Sequence, residues 1–349
     1  MSPVVVVGAG IVGASVAYHL ARRGVPVTLL EQGPGPAAEV TGASFAWVGG
    51  AGGDWPGGAR DLREYVLADY GRLEAELPDV TVRRTGSLTW GGGPDQASRP
   101  TPPGRFRVGR RDITALEPNL RNPPAQAVHI PSDAGVDATA WTTALVTAAR
   151  AHGATVLYGT GVTALRMSGY GPGVEGVETP TGLQTADVVV LAAGTNIPRL
   201  CEQLPADLPV TASPATLARI SSPPGLVRTV VANPDFEARE VRDGELLLTV
   251  PYVDGGSARR DQAVHDAFRH FQTAFRGSDA CRLLSHQTAD RPMPAHGPLI
   301  GYATHDRSVY VAALHSGITL APTVGRLIAD ELVTGRPTPE LRRCRPRIY

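Results

Sequence analysis

The feature that most restricts this chain is a set of glycines placed where a strand hands over to a helix. Val4-Val5-Val6-Val7 is a continuous apolar run, the pattern of a parallel strand buried on both faces. Gly8-Ala9-Gly10-Ile11-Val12-Gly13 follows at once, and apolar residues then recur at helical spacing from Ile11 to Arg23, until Gly24 stops them. Val25–Glu31 reads as a second strand and completes a βαβ unit. In such a unit Gly8 permits the tight turn, Gly10 lets the backbone approach a pyrophosphate, and Gly13 lets helix and strand pack closely. The phosphates would sit against the positive N-terminus of the helix and its free N–H groups. Glu31 falls ~20 residues on, where a carboxylate accepts hydrogen bonds from a ribose and repels a 2′-phosphate. NAD and FAD share this fingerprint, so it predicts a dinucleotide without choosing between them.

A chain of 349 residues suits two domains. Its 33 basic and 33 acidic residues cancel, so no global field draws it to nucleic acid or to an anionic membrane, and a small-molecule partner is expected. Every basic residue is an arginine; the sequence contains no lysine. Cys201, Cys281 and Cys344 are scattered and odd in number, forming neither a metal-ligand spacing nor a disulfide framework, which predicts no metal and a reducing cytoplasm. No cleavable leader precedes the first strand, and no apolar run reaches the ~18 residues of a membrane span.

Further along, residues 60–77 carry a helical pattern with Leu62, Val66, Tyr70, Leu73 and Leu77 on one face, and Val80–Trp90 looks extended. Residues 91–110, dense in glycine, proline and arginine, read as a mobile surface loop. A helix is predicted over 139–152, strands over 155–158, 174–178 and 188–192, and a proline-rich stretch without period over 205–225. Residues 227–251 alternate and include the β-like run Glu245–Val250; 263–276 look helical, placing His265 and His270 on a solvated helix. A strand over 308–313 and a helix over 322–332 close the chain.

Several later segments carry a family likeness. Thr41-Gly42-Ala43-Ser44-Phe45-Ala46-Trp47, the strand ending Val190-Leu191-Ala192-Ala193-Gly194-Thr195, and the block Arg291-Pro292-Met293-Pro294 with Gly297-Pro298-Leu299-Ile300-Gly301 and Leu314-His315-Ser316-Gly317-Ile318-Thr319-Leu320-Ala321-Pro322 together resemble the D-amino-acid oxidase superfamily, its glycine oxidase and sarcosine oxidase branch above all. Leu116-Glu117-Pro118 and Gly135-Val136-Asp137-Ala138 extend the likeness over the whole chain. The resemblance implies FAD as cofactor. It also implies an α/β fold in which a Rossmann-type FAD-binding domain (residues 1–83, 138–204 and 287–349) is roofed by a mostly antiparallel substrate domain (84–137 and 205–286).

By the same resemblance Gly8, Gly10, Gly13, Glu31 and Gln32 hold the AMP half of the cofactor, Ile11 and Val12 also bind the cofactor, Ala43 and Ser44 lie along the flavin, and Val162 meets the adenine through its backbone. Ala193 and Gly194 approach the ribityl and pyrophosphate region. The loop His315, Ser316, Gly317, Ile318 and Thr319 opens a helix aimed at the flavin edge where negative charge develops on reduction. Arg291 matches the arginine that pairs with a substrate carboxylate, for which a planar fork is suited. His315 faces the flavin as a second catalytic candidate, while Trp47 and Tyr252 wall the substrate site. The implied reaction oxidises the C–N bond of a small amino acid or N-alkyl amino acid by hydride transfer to flavin N5, giving an imine, with oxygen or another acceptor reoxidising the cofactor.

The chain also departs from that family. Where sarcosine oxidases tether flavin through a cysteine it has Thr288-Ala289-Asp290-Arg291, so the FAD is expected to be non-covalent. Where they place a lysine that helps activate oxygen it has Glu245-Leu246-Leu247-Leu248-Thr249, and the Ser44–Gly53 loop lacks their basic residues. Ser316-Gly317 replaces a second arginine of the glycine oxidase pattern, which argues against glycine as substrate. Two other readings fit the first βαβ unit: an NAD-dependent dehydrogenase of the doubly wound type, and a flavin-binding protein without turnover.

Overall fold

The four valines Val4–Val7 are buried on both faces because they lie inside a sheet covered on both sides. The computed structural model describes residues 2–49, 56–91, 103–169, 171 and 173–349. Its six-stranded sheet runs in the order Leu299–Tyr302, Val309–Ala313, Val188–Leu191, Val4–Val7, Val27–Leu30, Thr155–Leu157. All neighbours are parallel except Leu299–Tyr302, which runs against Val309–Ala313. The helices Ile11–Ala21, Ala138–Ala151 and Gly317–Thr334 cover one face, and the antiparallel meander of Ala164–Met167, Val174–Thr179 and Gly182–Thr185 packs on the other. The fold is therefore α/β, with a Rossmann-like layer and a second large sheet.

That second sheet has eight strands in the order Arg282–Pro294, Val210–Ser221, Glu245–Val250, Glu237–Arg242, Val230–Ala232, Ser87–Thr89, Gln126–Ile130, Phe106–Gly109. Only the Val230–Ala232 and Ser87–Thr89 pair is parallel. Along these strands side chains alternate in direction. Leu88, Val231, Ala238, Leu248 and Ala218 form one face with Val264, Ala267 and Phe271 of the helix Ser257–Ala274. The opposite face is turned toward the parallel sheet.

Four expectations need correction. The proline-rich stretch 205–225 contains the long strand Val210–Ser221; Pro214 is tolerated because hydrogen bonding to the Glu245–Val250 side begins only at Thr216, so a missing N–H there breaks no ladder. The terminal proline-rich block, for which no strand was expected, ends the strand Arg282–Pro294. Within 91–110, Phe106–Gly109 is a strand paired with Gln126–Ile130, and residues 92–102 lie outside the described residues, as does part of the Ser44–Gly53 loop. The single helix over 60–77 is two, Ala59–Arg63 and Val66–Glu76.

The first and last long helices meet with almost no space between them. Ser15 Oγ donates to Ala321 O at 2.8 Å, and a Cβ built on Gly325 would collide with Ser15. That carbonyl lies one residue before Pro322, inside the Gly317–Thr334 helix, which starts five residues earlier than the sequence pattern suggests. Gly325→Ala is therefore expected to cost about 1–3 kcal/mol by overpacking, despite the better helix propensity of alanine. Equilibrium denaturation measures this; a stability equal to or above that of the parent would show that the two helices separate freely.

Candidate functional site

A cleft of about 1660 Å³ opens between the C-terminal ends of the parallel strands and the inward face of the eight-stranded sheet. Open α/β sheets bind ligands at this end. The volume exceeds the ~300–1,000 Å³ of an ordinary small-ligand pocket, leaving room for a dinucleotide and a substrate together. Gly8, Gly10, Ile11, Val12, Glu31, Gln32, Ala43, Ser44, Val162, Ala193 and Gly194 all line it, as do Trp47, Tyr252, Arg291, His315, Gly317, Ile318 and Thr319. Of the residues expected to bind cofactor or substrate, only Gly13 lies behind the lining.

Gly13 acts from behind. A Cβ there would run into the Gly8 carbonyl, so the bare Cα is what lets the helix sit down on the turn. Gly8 itself has φ +101°, and a Cβ on it would come within 2.7 Å of Ala192 O. Glu31 braces the same loop: Oε2 accepts from Ala9 N at 2.7 Å and Oε1 from Gly33 N at 2.8 Å. An ionised carboxylate has further lone pairs, so Glu31 still has acceptor capacity on the cleft side. Gly10 offers no side-chain cap, and the first N–H groups of the helix point toward the cleft, Ile11 N donating to Thr41 Oγ1 at 3.3 Å. A crowded glycine turn, a helix N-terminus and an acceptor carboxylate are the donor and acceptor set that a diphosphate and ribose require, so these residues fit FAD.

A second helix N-terminus opens on the same cleft. Ser316 precedes the Gly317–Thr334 helix without capping it, and Thr319 Oγ1 reaches across to Trp47 O at 2.9 Å. Arg63, at the end of Ala59–Arg63, donates through Nη2 to Ser316 Oγ at 3.0 Å and through Nη1 to Gly49 O. Burial pulls the Arg63 pKa down to about 10, against an opposing pull from Asp133. Asp133 holds Trp47 Nε1 at 2.9 Å and Ser87 Oγ at 2.8 Å, and burial raises its own pKa. The pKa of His315 is held below the ordinary value by burial, then by Arg291 and Arg63, so the ring is neutral at neutral pH.

The roof is a row of polar and apolar residues across the sheet. Arg107 opposes Val128, which opposes Thr89, which opposes Ala232, which opposes Glu237. The Glu237 amide then donates to Thr249 Oγ1 at 3.0 Å, and Thr249 opposes Leu217. Every member of this row lines the cleft. Arg291 stands on the same face, opposite Ser213, donating through Nε to Ser213 O at 3.3 Å and through Nη2 to Ser213 Oγ at 2.9 Å. Those bonds fix the guanidinium and leave the rest of its five N–H groups for a ligand.

Sequence reasoning missed Arg63, Asp133, Arg107 and Glu237. One arginine among 33 basic residues carries no mark of its position, but Glu237 falls within the alternating stretch 227–251, and its parity with Thr249 was a signal that could have found it.

Comparison with known proteins agrees with this fold. A family model described as FAD dependent oxidoreductase matches residues 3–331. Dimethylglycine dehydrogenase of Rattus norvegicus is 25% identical over 99% of the chain, which spans only 44% of that relative's length. Glycine oxidase of Bacillus licheniformis is 25% identical, with 95% of this chain and 93% of the relative covered. The crystal structure of glycine oxidase from Geobacillus kaustophilus superposes with a TM-score of 0.85 at 21% identity, over 99% of this chain and 98% of that one.

Because Glu31 braces the loop and also lines the cleft, Glu31→Ala is expected to weaken flavin binding roughly ten- to hundred-fold, the equivalent of one charge-assisted hydrogen bond. Titration of apoprotein followed by flavin fluorescence gives the number. Parental affinity in the variant would show that ribose contacts are made elsewhere.

Proposed function

The chain belongs to the family of FAD-dependent oxidoreductases, and from that membership we propose that it oxidises the C–N bond of a small amino acid or N-alkyl amino acid. The family decides for FAD over NAD, and the names of the two curated relatives, one an oxidase and one a dehydrogenase, support an amino-acid or N-methylated substrate. The observation that carries the reading is Arg291, a guanidinium fixed by Ser213 on the roof of the cleft, on the side facing His315 and the second helix N-terminus. The chemistry FAD supplies when bound is acceptance of a hydride at N5 from the carbon bearing the amine, which leaves an imine for water to hydrolyse.

The protein's own residues do the rest. Arg291 holds the substrate carboxylate and so orients the α-carbon. Neutral His315 adds no cation to compete with Arg291 for that carboxylate. The N–H groups of the Ser316–Thr319 turn and the Arg63 guanidinium supply positive potential where reduction brings negative charge. Trp47 and Tyr252 wall the pocket. The FAD domain would comprise residues 1–83, 138–204 and 287–349 and the substrate domain the remainder; the two large sheets support this division except at 287, where the boundary cuts through the roof strand Arg282–Pro294. A cytoplasmic location is consistent with three buried free thiols; among the described residues no helix is long and apolar enough to cross a membrane and no cluster of metal ligands occurs. The natural electron acceptor is oxygen or another oxidant, and the lysine-free chain argues for slow reaction with oxygen.

Non-covalent attachment is supported by the lining, to which Thr288, Ala289 and Asp290 contribute but none of Cys201, Cys281 and Cys344. Acid precipitation should leave all the yellow colour in the supernatant; colour in the pellet would contradict it. Arg291→Met keeps most of the side-chain length but removes the fork. Breaking such a buried pair should lower kcat/KM for an amino acid roughly 30- to 5,000-fold while sparing the decarboxylated amine. Flavin bleaching under anaerobic conditions provides the assay. Equal losses for acid and amine would make Arg291 structural.

A further inference from the structure

The roof of the cleft carries a second charged group that the proposed reaction does not use. Glu237 lies mid-row on the inward face of the eight-stranded sheet, flanked on the adjoining strands by Ala232 and Thr249, which are small and uncharged. Its backbone N–H is satisfied by Thr249, but its carboxylate makes no hydrogen bond or ion pair with any described residue. Arg291 is the charge it feels, yet that guanidinium is turned onto Ser213 and forms no ion pair with it. Burial pushes the Glu237 carboxyl above the ordinary carboxylate range, against the pull of Arg291. A carboxylate left this way in a partly desolvated cleft is costly unless a ligand brings the counter-charge.

Building on the amino-acid reading above, we propose that Glu237 is a specificity residue that binds a second, permanently protonated amine of the substrate, so that the substrate class is a diamino acid with its carboxylate on Arg291 and its distal ammonium on Glu237. The reacting amine is a poorer match. It must shed its proton before hydride can leave the neighbouring carbon, and a carboxylate beside it would stabilise the charged, unreactive form. A distal ammonium keeps its proton throughout and gains from the pairing in the ground state and the transition state alike. Glu237 should therefore act mainly on KM.

The test uses flavin-loaded protein and three racemic probes: ornithine, lysine, and norleucine, whose terminal methyl replaces the ammonium of ornithine at nearly the same size. Anaerobic flavin reduction by the parent should favour the diamino acids over norleucine by at least roughly tenfold. Glu237→Gln should lose roughly 10- to 100-fold in kcat/KM on them, chiefly through KM, and change little on norleucine. Glu237→Asp, which keeps the charge, should retain part of the preference. A parent that takes norleucine as readily, or a Gln variant that loses equally on all probes, overturns the proposal. If no amino acid reduces the flavin, the parent reading has failed. The shift in Tm produced by each probe then decides this one: stabilisation by ornithine over norleucine that disappears in Glu237→Gln upholds the site, and equal shifts refute it.

Discussion

The closeness of the first helix to the first strand governs the rest of the molecule. With no side chain at Gly13 the helix rests on the Gly8 carbonyl, and its N-terminus reaches the cleft. The last long helix in turn leans on the first through Ser15 and the bare Cα of Gly325. A Cβ on Gly317 would lie 3.7 Å from the Val12 side chain, so the two helices begin side by side. Two positive helix ends are thus brought to one place by close packing at glycines and the Ser15 bond, one beside the Glu31 loop and the other beside His315.

The opposite wall is held by a buried arginine. Arg239 is 1% exposed, donating through Nε to Phe45 O and through Nη2 to Val136 O, both at 2.6 Å. Desolvation lowers its pKa to about 9. Its bonds go to carbonyls of the loop that carries Ala43 to Trp47 and of the segment just before the Ala138–Ala151 helix, so the roof sheet is keyed to the layer beneath it. Gly135 has to be glycine there, because a Cβ would press on the Arg239 guanidinium.

Much of the parallel layer was legible in the sequence because its constraints are local. A strand buried on both faces must be apolar throughout, and a glycine turn must fall where the chain turns; residues 4–31 state both. The roof was less so. Pro214 masked a strand whose proline sits where pairing is one-sided, and the Phe106–Gly109 strand was hidden in a segment rich in loop-forming residues. Arg291 was found through family likeness, whereas Arg63 and Glu237 meet the cleft only after distant strands and helices assemble. No short-range pattern records that meeting.

The period of two in the roof has an evolutionary corollary. Leu88, Val231, Ala238 and Leu248 belong to the core beneath the outer helix, while their immediate neighbours Thr89, Ala232, Glu237 and Thr249 face the cleft. Selection for a new substrate can therefore rewrite these cleft-facing positions without disturbing the packing on the far side. A lineage with this roof can change its diet while its folding stays under separate control, and relatives should diverge fastest along the inward-facing row.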